Sequence, residues 1–256
     1  MITNLANYID EVENVIKNWL PQSSSLNLWF RGQSDSSWKL KPTINRSDLK
    51  PDLEREITRD FITRSGELAK PRPKSYLQWL ILMQHHGLQT RLIDWTESTL
   101  VALYFAVRDY KKKCDAAVWI LHPWNLNNVS IDTHGIPWYK SEILKKYQLT
   151  EKDSSFTRRV KASLPAAFRP SRNFARIVAQ RGMFTIHGSL DIGLDELIDH
   201  QDSYPNERFL TKIIIDGDSK LSILRQLYYS GITESVLFPE LDGLAHEISF
   251  RYSKSF

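Results

Sequence analysis

The sequence predicts an α+β fold: a single compact domain with a mixed or antiparallel central sheet flanked by helices, and an N-terminal helix packed on it. Three observations carry this. Strand-like and helix-like segments follow one another without the regular βα alternation of a doubly wound sheet. The chain has 256 residues, 41% apolar and 25% charged, an ordinary globular composition and enough for one large domain. The stretch TLVALYFAV (99–107) is apolar on every side of a helix, so it belongs in a buried layer.

The elements follow in order. Leu5, Ile9, Val12, Ile16 and Trp19 recur at helical spacing, which predicts an amphipathic helix over 3–19 that ends near Pro21. A polar connector completes an N-terminal part, 1–25, and the main domain occupies 26–256. LNLWFRG (26–32) predicts a strand broken by Gly32. A charged helix spans Asp52 to Ala69, with Leu53, Ile57, Phe61 and Leu68 facing inward, and KPRPKS is a loop. SYLQWLILMQHHG is a helix with Ser75 as its N-cap and Gly87 as its stop. After TLVALYFAV, AAVWIL (116–121) predicts a strand. Residues 122–165 carry a weak pattern with one helix near 139–147. MFTIHG and RFLTKIIID predict two more strands, and helices at 218–230 and 240–252 close the chain.

Bulk chemistry excludes several classes. One cysteine, Cys114, rules out an intramolecular disulfide and fits a reducing compartment. No run approaches the ~18 apolar residues of a membrane span, and the N-terminus lacks a signal-peptide pattern. The expectation is a cytoplasmic protein without membrane contact. No feature sets its oligomeric state. A net charge of +4 permits an anionic partner without requiring one. There is no GxGxxG, P-loop or GxSxG. The adjacent His85 and His86 point in different directions on a helix and have no further ligand at metal spacing, so no metal is expected. They suit the end of a helix dipole.

Four constellations remain. Arg31, in WFRGQ, is either a buried ion held by a carboxylate or a fork for paired phosphate or carboxylate oxygens; Gln33 either assists it or sits at a turn. In QHHGLQTRLIDWTESTLVALYFA (84–106), Arg91 and Asp94 lie between two apolar helices, where charges need partners. Either they pair with each other, or Asp94 orients Arg31. Thr90, Trp95, Thr96 and Tyr104 offer hydroxyls and rings. Between Asp153 and Asp191 there is no acidic residue, while Arg158, Arg159, Lys161, Arg169, Arg172, Arg176 and Arg181 occur there. This is either an anion-contacting segment or a solvated basic loop; Gln180, Phe184 and His187 follow it. Glu240 and Asp242 are either first-turn helix carboxylates or a source of a catalytic acid.

Taken together, Phe30-Arg31-Gly32, then Gln33, Trp38, Leu40, Pro42 and Arg46, then MQHHGLQTRLIDWTESTLVALYFAV, ARIVAQRGMFTIHG and LFPELDGLAHEI resemble the FRG domain family over roughly 26–250. Gln89 stands where that family usually has proline. The family is similar in turn to ADP-ribosyltransferases, whose first core strand often carries an aromatic–Arg–Gly step that grips NAD. The resemblance implies an enzyme that binds NAD and modifies nucleic acid or protein, such as a toxin or phage-defence effector. It implies Arg31 and Gln33 on the pyrophosphate, a pocket shaped by His86, Thr90, Arg91, Tyr104, Gln180 and Phe184, and Asp94 or Glu240 as the acid. Gly182 or Met183 occupies the place of the transferases' glutamate. The alternative is a non-catalytic module binding a nucleotide, or a nucleic acid through 158–181.

Overall fold

The computed structural model describes residues 1–19, 27–46, 53–148, 162–197 and 208–253. Arg158, Arg159 and Lys161 of the basic interval lie outside them. Within them lies one six-stranded antiparallel sheet, in the order β4-β5-β2-β1-β3-β6. Its strands are β1 (Trp29–Gln33), β2 (Leu92–Thr96), β3 (Ala116–Leu121), β4 (Ala166–Phe168), β5 (Gly182–Ile186) and β6 (Leu210–Ile215). The helices are α1 (Leu5–Trp19), α2 (Glu54–Ser65), α3 (Tyr76–His85), α4 (Thr99–Val107), α5 (Pro123–Ile131), α6 (Ala175–Ala179), α7 (Lys220–Tyr229), α8 (Glu234–Leu237) and α9 (Leu241–Arg251). The expected fold class is observed, with the sheet wholly antiparallel. No helix among the described residues is long and apolar enough to cross a membrane.

One face of the sheet carries α4. Val101, Ala102 and Ala106 pack with Phe30, Val118, Ile120 and Ile215, and Tyr8 and Val12 of α1 and Ile223 and Leu227 of α7 join the same cluster. The Tyr8 hydroxyl meets Thr99 Oγ1 at 2.6 Å, which fastens α1 to the start of α4. Trp29, Trp119, Trp95 and Leu126 form a second cluster, in which Trp119 Nε1 donates to Gln33 Oε1 at 2.7 Å. A third gathers α3 with Phe168, Phe184 and Ile186.

Several sequence expectations are corrected. Gly32 does not break β1 but lies within it. A Cβ there would stand 2.0 Å from the Ala102 carbonyl oxygen and 2.5 Å from Ala106 N, so glycine is what lets α4 lie directly on the strand. Leu92–Thr96, assigned no strand from its sequence, is the central strand β2; it lies between two strong helix signals that mask its alternation. Strand β4 is only three residues long, and α5 starts on Pro123 with His122 as its cap. The helix expected near 139–147 is a 3-10 helix, Glu142–Tyr147. Of the residues expected to face inward from the charged helix, Ile57 and Phe61 pack on the core, whereas Leu53 and Leu68, just outside α2, are exposed; α2 also buries Glu54 and Thr58, because Glu54 partners a buried arginine described below. Ser75 and Gly87 act as expected: the serine accepts from Gln78 N, and the glycine adopts φ 81°.

Gly32→Ala should therefore destabilise the protein by about 3 kcal/mol, because the opposing atoms are backbone and cannot rotate away. Chemical denaturation measures this, and a stability equal to wild type would refute the close approach of α4.

Candidate functional site

Strands β1 and β2 share one backbone pair, Phe30 with Thr96, whereas β1 pairs with β3 over its whole length. Beyond that single pair the two strands part. The Arg31 guanidinium enters the gap, and its Nη1 donates to the Asp94 carbonyl oxygen at 2.6 Å. A cleft of about 300 Å³ opens here, the lower end of ligand-site size. Helix α3 gives it Ile81, Gln84 and His85, one face at i, i+3, i+4. Helix α4 gives Phe105, with Arg108 following it, and α6 gives Arg176, with Gln180 following it. Phe238 closes one side.

Asp94 is the carboxylate among the lining residues. Its Oδ2 lies 3.9 Å from Arg31 Nη1 and accepts from Gln84 Nε2 at 2.6 Å. The amide orientation of Gln84 is fixed from behind. Leu92 N donates to the buried Thr90 hydroxyl at 3.1 Å, and Thr90 Oγ1 donates to Gln84 Oε1, so the Gln84 NH₂ must face Asp94. The Asp94 side chain is 58% exposed, and that exposure is to the cleft. Protein walls surround the opening and strip part of its water. This desolvation raises the Asp94 pKa above the usual carboxylate value, against the lowering effects of Arg31 and Gln84. His85 stacks on Phe174, with centroids 5.6 Å apart. Burial first, then the Arg176 charge, lowers its pKa, so it is neutral at pH 7.

Three guanidinium groups line the cleft against one carboxylate. Arg108 and Arg176 flank the Phe238 ring, with their Cζ atoms 5.1 and 4.9 Å from its centroid. Their carboxylate partners, Glu234 and Glu240, each at 3.2 Å, stand outside the lining. The inner surface is therefore biased toward anions. The Arg31 Nε is buried and has no hydrogen-bond partner, as is true of Arg176 Nε beside it in the lining.

The structure brings Arg31, Asp94, Gln180 and Phe184 together in the lining, and sets Glu240 beside it through Arg176. Gln33 instead holds Trp119 in the core. His86 is exposed past the end of α3, and it is His85 that faces the cleft. Tyr104 lines a separate cavity beneath α9. Thr90 acts only through Gln84. Arg91 donates from Nε to Glu54 Oε2 at 2.6 Å, and from Nη2 to the same oxygen. Of the two pairings left open by the sequence, the structure shows Asp94 with Arg31, and Arg91 with neither. His187 is buried beside Arg91; burial and the Arg91 charge push its pKa down to about 3. Sequence reasoning missed Gln84, His85, Arg108 and Phe238. Helical spacing from Ile81 was a signal for the first two, while Arg108 and Phe238 meet only through tertiary packing.

The two arginines should separate in stability. Arg91→Ala leaves Glu54 charged and buried, and should cost about 3–5 kcal/mol. Arg31→Ala removes one hydrogen bond at a hydrated cleft and should cost about 1 kcal/mol. Urea denaturation of both variants measures the contrast, and equal losses would make Arg31 a strut like Arg91.

No curated protein and no solved structure matches the chain. The model of the FRG domain family matches residues 26–115, which run from the approach to β1 through α4 and stop just before β3. That span supplies Arg31, Gln84, His85, Asp94 and Arg108, whereas Arg176, Gln180 and Phe238 come from beyond it. Across 26–115 this chain carries an FRG domain.

Proposed function

We propose that the cleft binds NAD as a substrate and that the protein is an ADP-ribosyltransferase-like enzyme. The observation that carries this reading is Arg31: a guanidinium at the parting of two strands, with a buried donor unpartnered and two more arginines across the cleft. A planar fork of that kind suits the paired oxygens of a pyrophosphate. Phe105, Phe184 and Phe238 supply apolar walls for a ring. The reading requires a supply of NAD, and so a cytoplasmic site of action.

The chemistry assigns each group one task. The bond between nicotinamide nitrogen and ribose C1′ breaks, and its electron pair leaves with nicotinamide. Positive charge then develops at C1′, where ionised Asp94 stabilises it. The acceptor's lone pair forms the new bond at C1′, and neutral His85 takes the proton that the acceptor loses. Gln84 keeps the carboxylate aimed into the cleft. Of the two carboxylates expected from sequence, the lining position favours Asp94, because Glu240 is engaged with Arg176 outside it.

Nicotinamide release from NAD, with nucleic-acid and protein acceptors supplied in turn, tests the reading. Asp94→Asn should lower kcat by about 10²–10³-fold, and Arg31→Ala should mainly raise KM. No release by wild type with any acceptor would reject the transferase. The pH dependence has a definite sign. Asp94 works ionised and its pKa is raised, so activity should be present above that raised value and fall on acidification sooner than for an ordinary aspartate. Gln84→Ala removes a hydrogen bond to the ionised form, so, measured in a His85→Ala background that removes the other group required deprotonated, it should move the acid limb of kcat/KM to still higher pH; an unmoved limb there would remove Asp94 from the mechanism.

A further inference from the structure

The acid-free interval has a use that the cleft does not exhaust. Among the described residues it places Arg169, Arg172, Arg176 and Arg181 along the chain from the end of β4 through α6 to β5, with no Asp or Glu between Ala162 and Leu190. At the far end, Arg169 forms an isolated parallel bridge with Trp138. Arg169 N donates to Pro137 O at 2.9 Å, and Tyr139 N donates to Arg169 O at 3.0 Å. Backbone pairing on both sides of Trp138 thus fixes its main chain against the sheet edge, yet the residue is 58% exposed. Tyr139 packs edge-on to it at 6.4 Å, and Lys140 Nζ lies 5.6 Å from the Tyr139 ring. A large ring thus stands open to water next to a second ring and a cation.

At the near end the arginines reach the cleft. Arg172, 61% exposed, pairs with Glu97 at 3.4 Å, and Glu97 directly follows Thr96 of the lining. Arg176 is itself in the lining. An exposed ring at one end, cations along the chain after it, and the candidate catalytic cleft at the other end follow one another in this segment. Alternating rings and guanidiniums fit a single strand of nucleic acid, whose bases stack and whose phosphates need positive charge.

We propose that Trp138, Arg169 and Arg172 bind single-stranded nucleic acid and lead it to the cleft, so that the ADP-ribose acceptor is a nucleic acid; the acceptor role rests on the transferase reading above. Trp138 stacks on a base outside the cleft, and Arg169 and Arg172 neutralise phosphates between that base and Arg176.

The test is fluorescence anisotropy with labelled oligothymidylate about ten nucleotides long, full-length protein, and no NAD. Wild type should bind at about 50 mM salt, and the logarithm of its affinity should fall linearly with that of salt concentration. Trp138→Ala should weaken binding about tenfold without changing the salt slope, and Trp138→Phe should restore most of it. Arg172→Ala should reduce the slope by about 0.7. Failure of wild type to bind, or equal binding by wild type, Trp138→Ala and Arg172→Ala, overturns the proposal and leaves a protein as the partner of this face. Because NAD is absent, the outcome is separate from that of nicotinamide release. Binding without release would keep the nucleic-acid site and reject the transferase; release without oligonucleotide binding would do the reverse.

Discussion

The seating of α4 on Gly32 governs the rest of this molecule. With no Cβ between them, the helix backbone rests on β1, and Phe30 and Arg31, which precede the glycine, are held in register with β3. From that fixed strand, β2 departs after one backbone pair. An antiparallel sheet that stops pairing leaves backbone groups to satisfy. Here a side chain takes over: Arg31 reaches across and donates to the Asp94 carbonyl. The opening and the residue that spans it arise from the same interruption.

Two arginines in this fold show how context sets the role of a charge. Arg91 and Glu54 are both shielded, at 11% and 2% side-chain exposure, and their contact tolerates no loss of either partner. Arg31 stands 3.9 Å from a carboxylate that looks into open space, with a donor direction still unfilled. The first arrangement serves the fold alone. The second keeps an incompletely satisfied cation at a concave, accessible position, a use of free energy that folding by itself does not require. Phe238 repeats the theme, since its ring separates two guanidiniums whose carboxylates stand on the outer side.

Much of the fold was legible because its signals are local. Helical apolar spacing located α1, Ser75 and Gly87 bracketed α3, and the apolar runs announced α4 and β3. The losses were of two kinds. Strand β4 is only three residues long, and β2 is hidden between two strong helix signals; both take their identity from β5 lying alongside. The reading of α2 was half right for a different reason: Ile57 and Phe61 face inward as expected, but the helix also buries Glu54, whose arginine lies 37 positions away. The site was half legible for the same cause. Arg31 and Asp94 stood out as charges in apolar surroundings, and Arg176 as one of a run of cations without an acid. The choice between His85 and His86 depended on the phase of α3, which adjacency in sequence cannot give. Arg108 is unremarkable in sequence until Phe238, from the far end of the chain, folds against it.

The account turns on Arg31 having a free donor that a ligand takes up. Proton–nitrogen correlation spectra of the arginine Nε–H groups, recorded as NAD is added, observe that donor itself. The Arg31 resonance, assigned through Arg31→Lys, should shift and become protected from exchange with water, while that of Arg91, already bonded to Glu54, should stay in place. An Arg31 resonance unmoved at saturating NAD, or protected to the same extent without it, would contradict the account.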